Sequence, residues 1–289
     1  MNGFLNLYKP KGVSSAFLLN KIKRSVRGET VGHMGTLDPL ASGVLPVAFG
    51  KSTRLFGFLL DKTKTYVADF AFGYQTDTLD LEGKIVKTSP VIPTEEEIRA
   101  KLPALCGEVD QIPPLFSAKC VDGKRGYELA RKGKDFTLPP KRVRIEKIEI
   151  LERTEEKGKY RFLIVCGGGT YIRSIARDIG EACGSCATMT DLVRKSSGVF
   201  DVGDSVDADV FASAEDKKSL LIPPDEVVSF PVLRLTEREA IRLFNGLYDR
   251  FDLPDGIYRV YEPNGFYGVG VLTAGKLKVK AYLRDDENI

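Results

Sequence analysis

The chain has 289 residues, 43% hydrophobic and 29% charged, proportions that support a buried core and exclude a disordered or fibrous polymer. One histidine excludes histidine-based metal centres, and no apolar run approaches the length of about 18 residues that a membrane-spanning helix needs. The first residues lack a basic segment followed by a long apolar one, and five cysteines without framework spacing suit reduced thiols, so a cytoplasmic protein is expected.

In chain order, Ser14-Ser15 followed by Phe17-Leu18-Leu19 and Ile22 predicts a capped amphipathic helix. Lys64 to Tyr74 alternates aromatic and β-branched residues, as a strand does. Thr94-Glu95-Glu96-Glu97 is a capping box that opens a helix running to Leu105. Residues 107–141, rich in proline and glycine, read as an irregular stretch interrupted by a short helix at 127–131. Strands are expected at 143–151 and 159–166. Gly167-Gly168-Gly169 then leads into a helix whose Ile172, Ile175, Ala176 and Ile179 recur at helical spacing. The triple glycine lacks the Lys-Ser/Thr of a phosphate loop, so nucleotide binding is not expected. Cys183-Gly-Ser-Cys186 has no second ligand pair and reads as two helix-end thiols, so no metal is expected. An acidic stretch ending in Pro223-Pro224 marks a boundary, after which Thr236-Glu237-Arg238-Glu239 opens a short helix. Strands at 257–261, 266–272 and 276–283 complete a small β unit.

The net charge of +3 hides an uneven distribution. Residues 1–65 carry ten basic and three acidic side chains, and residues 117–147 carry ten and four. Residues 201–230 carry two basic and eight acidic ones. Two basic blocks in a balanced chain form a candidate phosphate-binding footprint; the alternative is a set of solvated faces.

The densest signal is Gly32-His33-Met34-Gly35-Thr36-Leu37-Asp38-Pro39-Leu40-Ala41-Ser42-Gly43. Pro39 fixes its own φ and pushes Asp38 toward an extended conformation, while the glycines permit close approach. Such a segment presents one carboxylate or makes an awkward turn. With a single histidine and no Gly-x-Ser-x-Gly elbow, a serine triad is out of reach. A carboxylate nucleophile remains, as does a two-carboxylate arrangement with Asp77 or Asp80, although those two read more simply as turn residues.

The segment Gly32-His33-x-Gly35-Thr36-Leu37-Asp38-Pro39-x-Ala41-x-Gly43-x-Leu45 resembles the signature of the TruB-type tRNA pseudouridine-55 synthases. Four further blocks resemble that family in order: Leu7-x-Lys9-Pro10-x-Gly12-x-Ser14-Ser15, Lys64-x-Tyr66, Gly169-Thr170-Tyr171-Ile172-Arg173, and Leu192-Val193-Arg194. The resemblance spans residues 4–200, and the C-terminal unit resembles the family's PUA RNA-binding domain by position and strand pattern alone. It implies an α/β (α+β) fold with a mixed, largely antiparallel catalytic sheet over residues 1–225, and a PUA-like β domain over 226–289. By the same resemblance residues 117–147 are an RNA-gripping insertion.

It also implies an isomerase that flips a uridine out of the T-arm stem-loop of tRNA, using no cofactor and no obligatory protein partner, as a monomer. Asp38 would be the nucleophile, attacking ribose C1′ or uracil C6 unless a glycal route operates, with Arg173 paired to it. Tyr66 would stack on the flipped base and take part in proton transfer at C5. His33 and Tyr171 would contact the flipped nucleotide or its neighbours, Leu192 would line the pocket, and Lys9 and Pro10 would brace the loop. The glycines of the loop would leave room for the RNA backbone as well as for the turn. Two other readings stand beside this one: an RNA-folding helper whose catalysis is secondary, and a carboxylate-dependent hydrolase of a sugar-containing small molecule.

Overall fold

The computed structural model describes residues 1–59, 62–117, 120–121, 124–125, 136, 138–247 and 249–283. In chain order the strands are β1 (Gly3–Lys9), β2 (Val31–His33), β3 (Ser42–Phe49), β4 (Lys64–Phe72), β5 (Tyr74–Thr76) and β6 (Ile85–Thr88). Then come β7 (Gly107–Gln111), β8 (Cys120–Val121), β9 (Lys124–Arg125), β10 (Lys141–Arg153), β11 (Lys159–Cys166), β12 (Ala187–Ser197) and β13 (Phe200–Asp201). The last four are β14 (Val232–Arg234), β15 (Gly256–Glu262), β16 (Gly265–Thr273) and β17 (Lys276–Tyr282).

A nine-stranded sheet runs β1-β3-β12-β4-β11-β10-β7, with β2 beside β3 and β13 beside β12. Within it only β3 and β12 pair in parallel, so the mixed, largely antiparallel sheet is as expected. β14 to β17 form a separate four-stranded sheet with the helix Glu237–Phe244, the small β unit at the C-terminal end.

The capped helices form where local chemistry dictates. Ser14 accepts from the Phe17 N–H at the start of the helix Ser15–Ser25. Thr94 and Glu97 close a reciprocal capping box at Glu95–Lys101, after which Pro103 tightens the chain into a 3-10 turn. The helix Ile172–Ala182 buries Ile172, Ile175, Ala176 and Ile179 against β4, β11 and β12, in one apolar cluster with Phe70 and Phe162. A second cluster joins the two sheets: Phe4, Val44 and Ala48 pack with Val269, Ala281 and Leu283.

Residues 107–111 are strand rather than irregular chain, and the strand expected from 143 begins at Lys141, because β7 pairs with it from Gln111↔Lys141 to Gly107↔Ile145. β7 is an edge strand, mostly exposed, so it shows no alternating apolar pattern. The short helix expected at 127–131 lies outside the described residues. Pro46 sits mid-strand in β3 where the flank passes from β12 to β2; its carbonyl accepts from Met34 N–H at 2.8 Å, and no ladder donor is needed there.

Candidate active site

Residues 34–41 connect β2 to β3, and everything around Asp38 is pinned. Met34, Leu37, Leu40 and Ala41 are buried in the apolar clusters. The Ser15 hydroxyl accepts from the Leu37 N–H at 2.9 Å and donates to the Leu37 carbonyl at 2.8 Å. The Gly12 N–H donates to the Pro39 carbonyl at 2.8 Å, and the Ala41 N–H to the Asp38 carbonyl at 3.0 Å. The second bond closes a four-residue turn with Pro39 at the position whose φ the ring presets. Lys9 is fully buried and donates through Nζ to the carbonyls of Pro10, Pro39 and Ala41, two of them in the Asp38 turn. Burial pulls its pKa down to about 8; Asp38 opposes that fall and Arg194 adds to it. Pro10 itself is exposed. The Asp38 side chain, by contrast, stays 35% exposed.

Arg173, in the first turn of the helix Ile172–Ala182, meets that carboxylate: Nε lies 3.0 Å from Asp38 Oδ2. Nη1 lies 3.4 Å from Asp80 Oδ2 and donates to the Thr78 carbonyl at 2.9 Å. Nη2 donates to the Phe116 carbonyl at 3.2 Å. One guanidinium, 9% exposed, therefore ties the Asp38 loop to the β5–β6 hairpin and to Phe116, just before the basic stretch 117–147. Its planar fork suits several acceptors at once.

The turn reading of the hairpin acids holds: Asp77 Oδ1 accepts from the Lys84 N–H at 2.9 Å, and Asp80 Oδ1 from the Thr78 hydroxyl and the Glu82 N–H. Asp80 adds a role that the sequence did not signal, as a second, buried carboxylate on Arg173.

Tyr66 lies on β4, buried in one cluster with Leu37, Leu40 and Leu192. The β4–β12 register sets Leu192 opposite Ala68 and Arg194 opposite Tyr66. Burial pushes the Tyr66 phenol pKa up, and Arg194 beside the hydroxyl pulls it back. Arg194 is 1% exposed; Nε donates to the Val44 carbonyl at 2.7 Å and Nη2 to the Gly35 carbonyl at 3.0 Å. Sequence reasoning saw this arginine only as the end of a short block, because nothing local marks it as buried.

His33 ends β2, half-buried, with Nδ1 unpartnered among the described residues. Burial first, then Arg194 and Lys23, lower its pKa and favour the neutral ring. Tyr171 precedes the helix, its backbone clamped by Gln111, which accepts from the Tyr171 N–H at 2.8 Å and donates to its carbonyl at 3.1 Å. Asp38, Arg173, Tyr66 and Leu192 thus share one region with Lys9 beneath it, while His33 and Tyr171 flank it without hydrogen-bonding Asp38 among the described residues.

The loop glycines also meet the protein's own packing. A Cβ on Gly32 would press on the Phe56 ring, and one on Gly35 would stand 3.5 Å from Arg194 Nη1. Gly43 adopts φ +104°, and a Cβ there would overlap the Arg194 carbonyl across the parallel β3–β12 pair. Gly43→Ala is expected to cost about 3 kcal/mol, combining backbone strain with overpacking. Urea unfolding measures it, and a loss under half of that would show that the two strands can separate at this point.

A family model described as the N-terminal domain of the TruB family pseudouridylate synthases matches residues 23–172. A tRNA pseudouridine synthase B of Acaryochloris marina is 41% identical over 98% of this chain and 99% of its own. One of Aquifex aeolicus is 35% identical over 98% of this chain and 100% of its own. Among solved structures, an H/ACA RNP bound to a substrate RNA containing 2′-deoxyuridine aligns at TM-score 0.73 and 22% identity, over 98% of this chain and 86% of that one. A Cbf5-Nop10-Gar1 complex aligns at 0.71 and 23% identity, over 98% and 84%. Those two share the fold. The family match and the full-length relatives carry more: this chain belongs to the TruB family of pseudouridylate synthases.

Proposed function

We propose that the protein isomerises uridine 55 in the T arm of tRNA to pseudouridine. The observation that carries this reading is the Asp38–Arg173 pair, set beside Tyr66 in a loop whose backbone is anchored on both sides of the acid. The reaction breaks the N1–C1′ bond, turns the base over and rejoins it through C5. Substrate and product have the same formula and oxidation level, so no redox partner or cofactor is consumed.

The uridine must first leave the stack, which costs a few kcal/mol. Asp38, a third exposed and oriented by Arg173, is the nucleophile, at ribose C1′ or uracil C6. Tyr66 stacks on the flipped base and accepts the C5 proton. Leu192 lines the base pocket, and His33 and Tyr171 hold the nucleotide or its neighbours. Lys9 and Pro10 brace the loop. Residues 1–225 form the catalytic domain, 226–289 a PUA-like RNA-binding domain, and the protein works as a cytoplasmic monomer without an obligatory protein partner.

Incubation with a T-arm stem-loop is expected to yield pseudouridine at that single position; turnover of free uridine and none of the stem-loop would point to a small-molecule enzyme instead. The 117–147 insertion supplies phosphate contacts. Of its basic residues Lys124 and Arg125 lie on β9, and Arg131 and Lys132 lie outside the described residues. Neutralising these four is expected to weaken RNA binding and flatten its salt dependence, by about 0.7–0.9 in log–log slope for each phosphate no longer neutralised. A binding isotherm series over salt concentration reads this directly, and an unchanged slope would place the RNA elsewhere.

A further inference from the structure

Arg194 is a buried cation. Among the described residues no acidic side chain lies within ion-pair distance of its guanidinium, which bonds to the Val44 and Gly35 carbonyls instead. Burying a charge against dipoles alone is costly, and a fold that retains one keeps a standing preference for a negative charge beside it. The neighbour that can supply that charge is known from the strand register: Tyr66 stands directly opposite Arg194 on β4. Three groups act on the Tyr66 phenol: Arg194 from β12, the Cys166 thiol from β11 and the Asp38 carboxylate from the β2–β3 loop. Only the first favours a phenolate. On the far side of β12, Gly43 lets β3 close onto the Arg194 backbone, and the Val44 and Gly35 carbonyls hold the guanidinium itself.

We propose that Arg194 is a positioning residue that acts through Tyr66, orienting its hydroxyl and stabilising the phenolate that takes the C5 proton. This rests on the reading of Tyr66 as proton acceptor. In that step the C5–H bond breaks and its electron pair restores the C5–C6 double bond. The Tyr66 phenol gives its own proton to solvent beforehand, its oxygen then takes the C5 proton, N1 gains one from solvent, and Arg194 keeps its charge throughout. A structural arginine would hold β12 to the Asp38 loop and nothing more.

The test has two arms. Tyrosine ring NMR, with the Tyr66 signal assigned from Tyr66→Phe, follows the phenol titration in wild type, Arg194→Gln and Arg194→Lys. The midpoint is expected to rise by about one unit or more in Arg194→Gln and to stay near wild type in Arg194→Lys, where the cation is kept. Identical titration in wild type and Arg194→Gln overturns the proposal. The second arm is the single-turnover rate on a T-arm stem-loop against pH. Arg194→Gln is expected to lose about tenfold per unit of that shift near neutrality and to recover toward high pH, with RNA affinity unchanged. In a Tyr66→Phe background it should cost nothing further. A loss that is the same at every pH and additive with Tyr66→Phe is the structural outcome and overturns the proposal. If Arg194→Gln does not fold, Arg194→Lys decides: it must keep both the midpoint and the pH profile. Wild-type protein inactive on the stem-loop sinks the functional reading, while the NMR arm still decides the Arg194–Tyr66 coupling.

Discussion

Asp38→Asn is expected to abolish pseudouridine formation on a T-arm stem-loop, with a rate loss on the order of 10⁴-fold or more, as removal of a nucleophile produces elsewhere. The amide is isosteric, so steric repacking does not enter. The turn that carries residue 38 does not depend on the carboxylate: it is closed by the Asp38 backbone carbonyl and held by Ser15, Gly12 and Lys9 on neighbouring backbone groups. The loop should therefore keep its shape, and the basic blocks proposed to contact RNA are untouched. Stem-loop affinity is expected to stay within a few-fold of wild type, measured by filter binding beside pseudouridine mapping. Full turnover by the variant would refute the assignment of Asp38. Lost binding together with lost turnover would show instead that the carboxylate organises the RNA site.

Arg173→Met is expected to destabilise the protein by about 3 kcal/mol and to impair activity as well, because it removes one partner from a buried charge network. Asp80 would keep its burial and lose its counter-ion, and the Thr78 and Phe116 carbonyls would lose their donor. Asp38 is open to water on one side and contributes less to that loss. Arg173→Lys separates charge from geometry. A single ammonium keeps the charge but cannot reach Asp38, Asp80 and two carbonyls together, so stability should recover in part while activity stays at least about a hundredfold down. Denaturant melts and single-turnover rates on both variants measure this. A lysine variant with near-normal activity would show that only the charge beside Asp38 matters.

What the chain states locally was readable from it. Capping boxes at Thr94 and Thr236, the stripe from Ile172 to Ile179 and the C-terminal strands depend on neighbours within a few residues, and they fold as their spacing dictates. The Asp38 loop was readable for the same reason, since proline and glycine act on their own backbone. Tertiary structure decided the rest. β12, at the centre of the large sheet, reads Ala-Thr-Met-Thr-Asp-Leu-Val-Arg and shows no clean alternation. Its polar side chains tolerate burial only because distant carbonyls receive them: Tyr74 for Thr188, Asp69 for Thr190, Val44 and Gly35 for Arg194. β7 became a strand only through its edge pairing with β10. Asp80, an ordinary turn acid by sequence, became the second carboxylate of Arg173 through an ion pair between positions far apart in the chain. Burial of a charge is set by which partners the fold brings to it, and no window of sequence contains those partners.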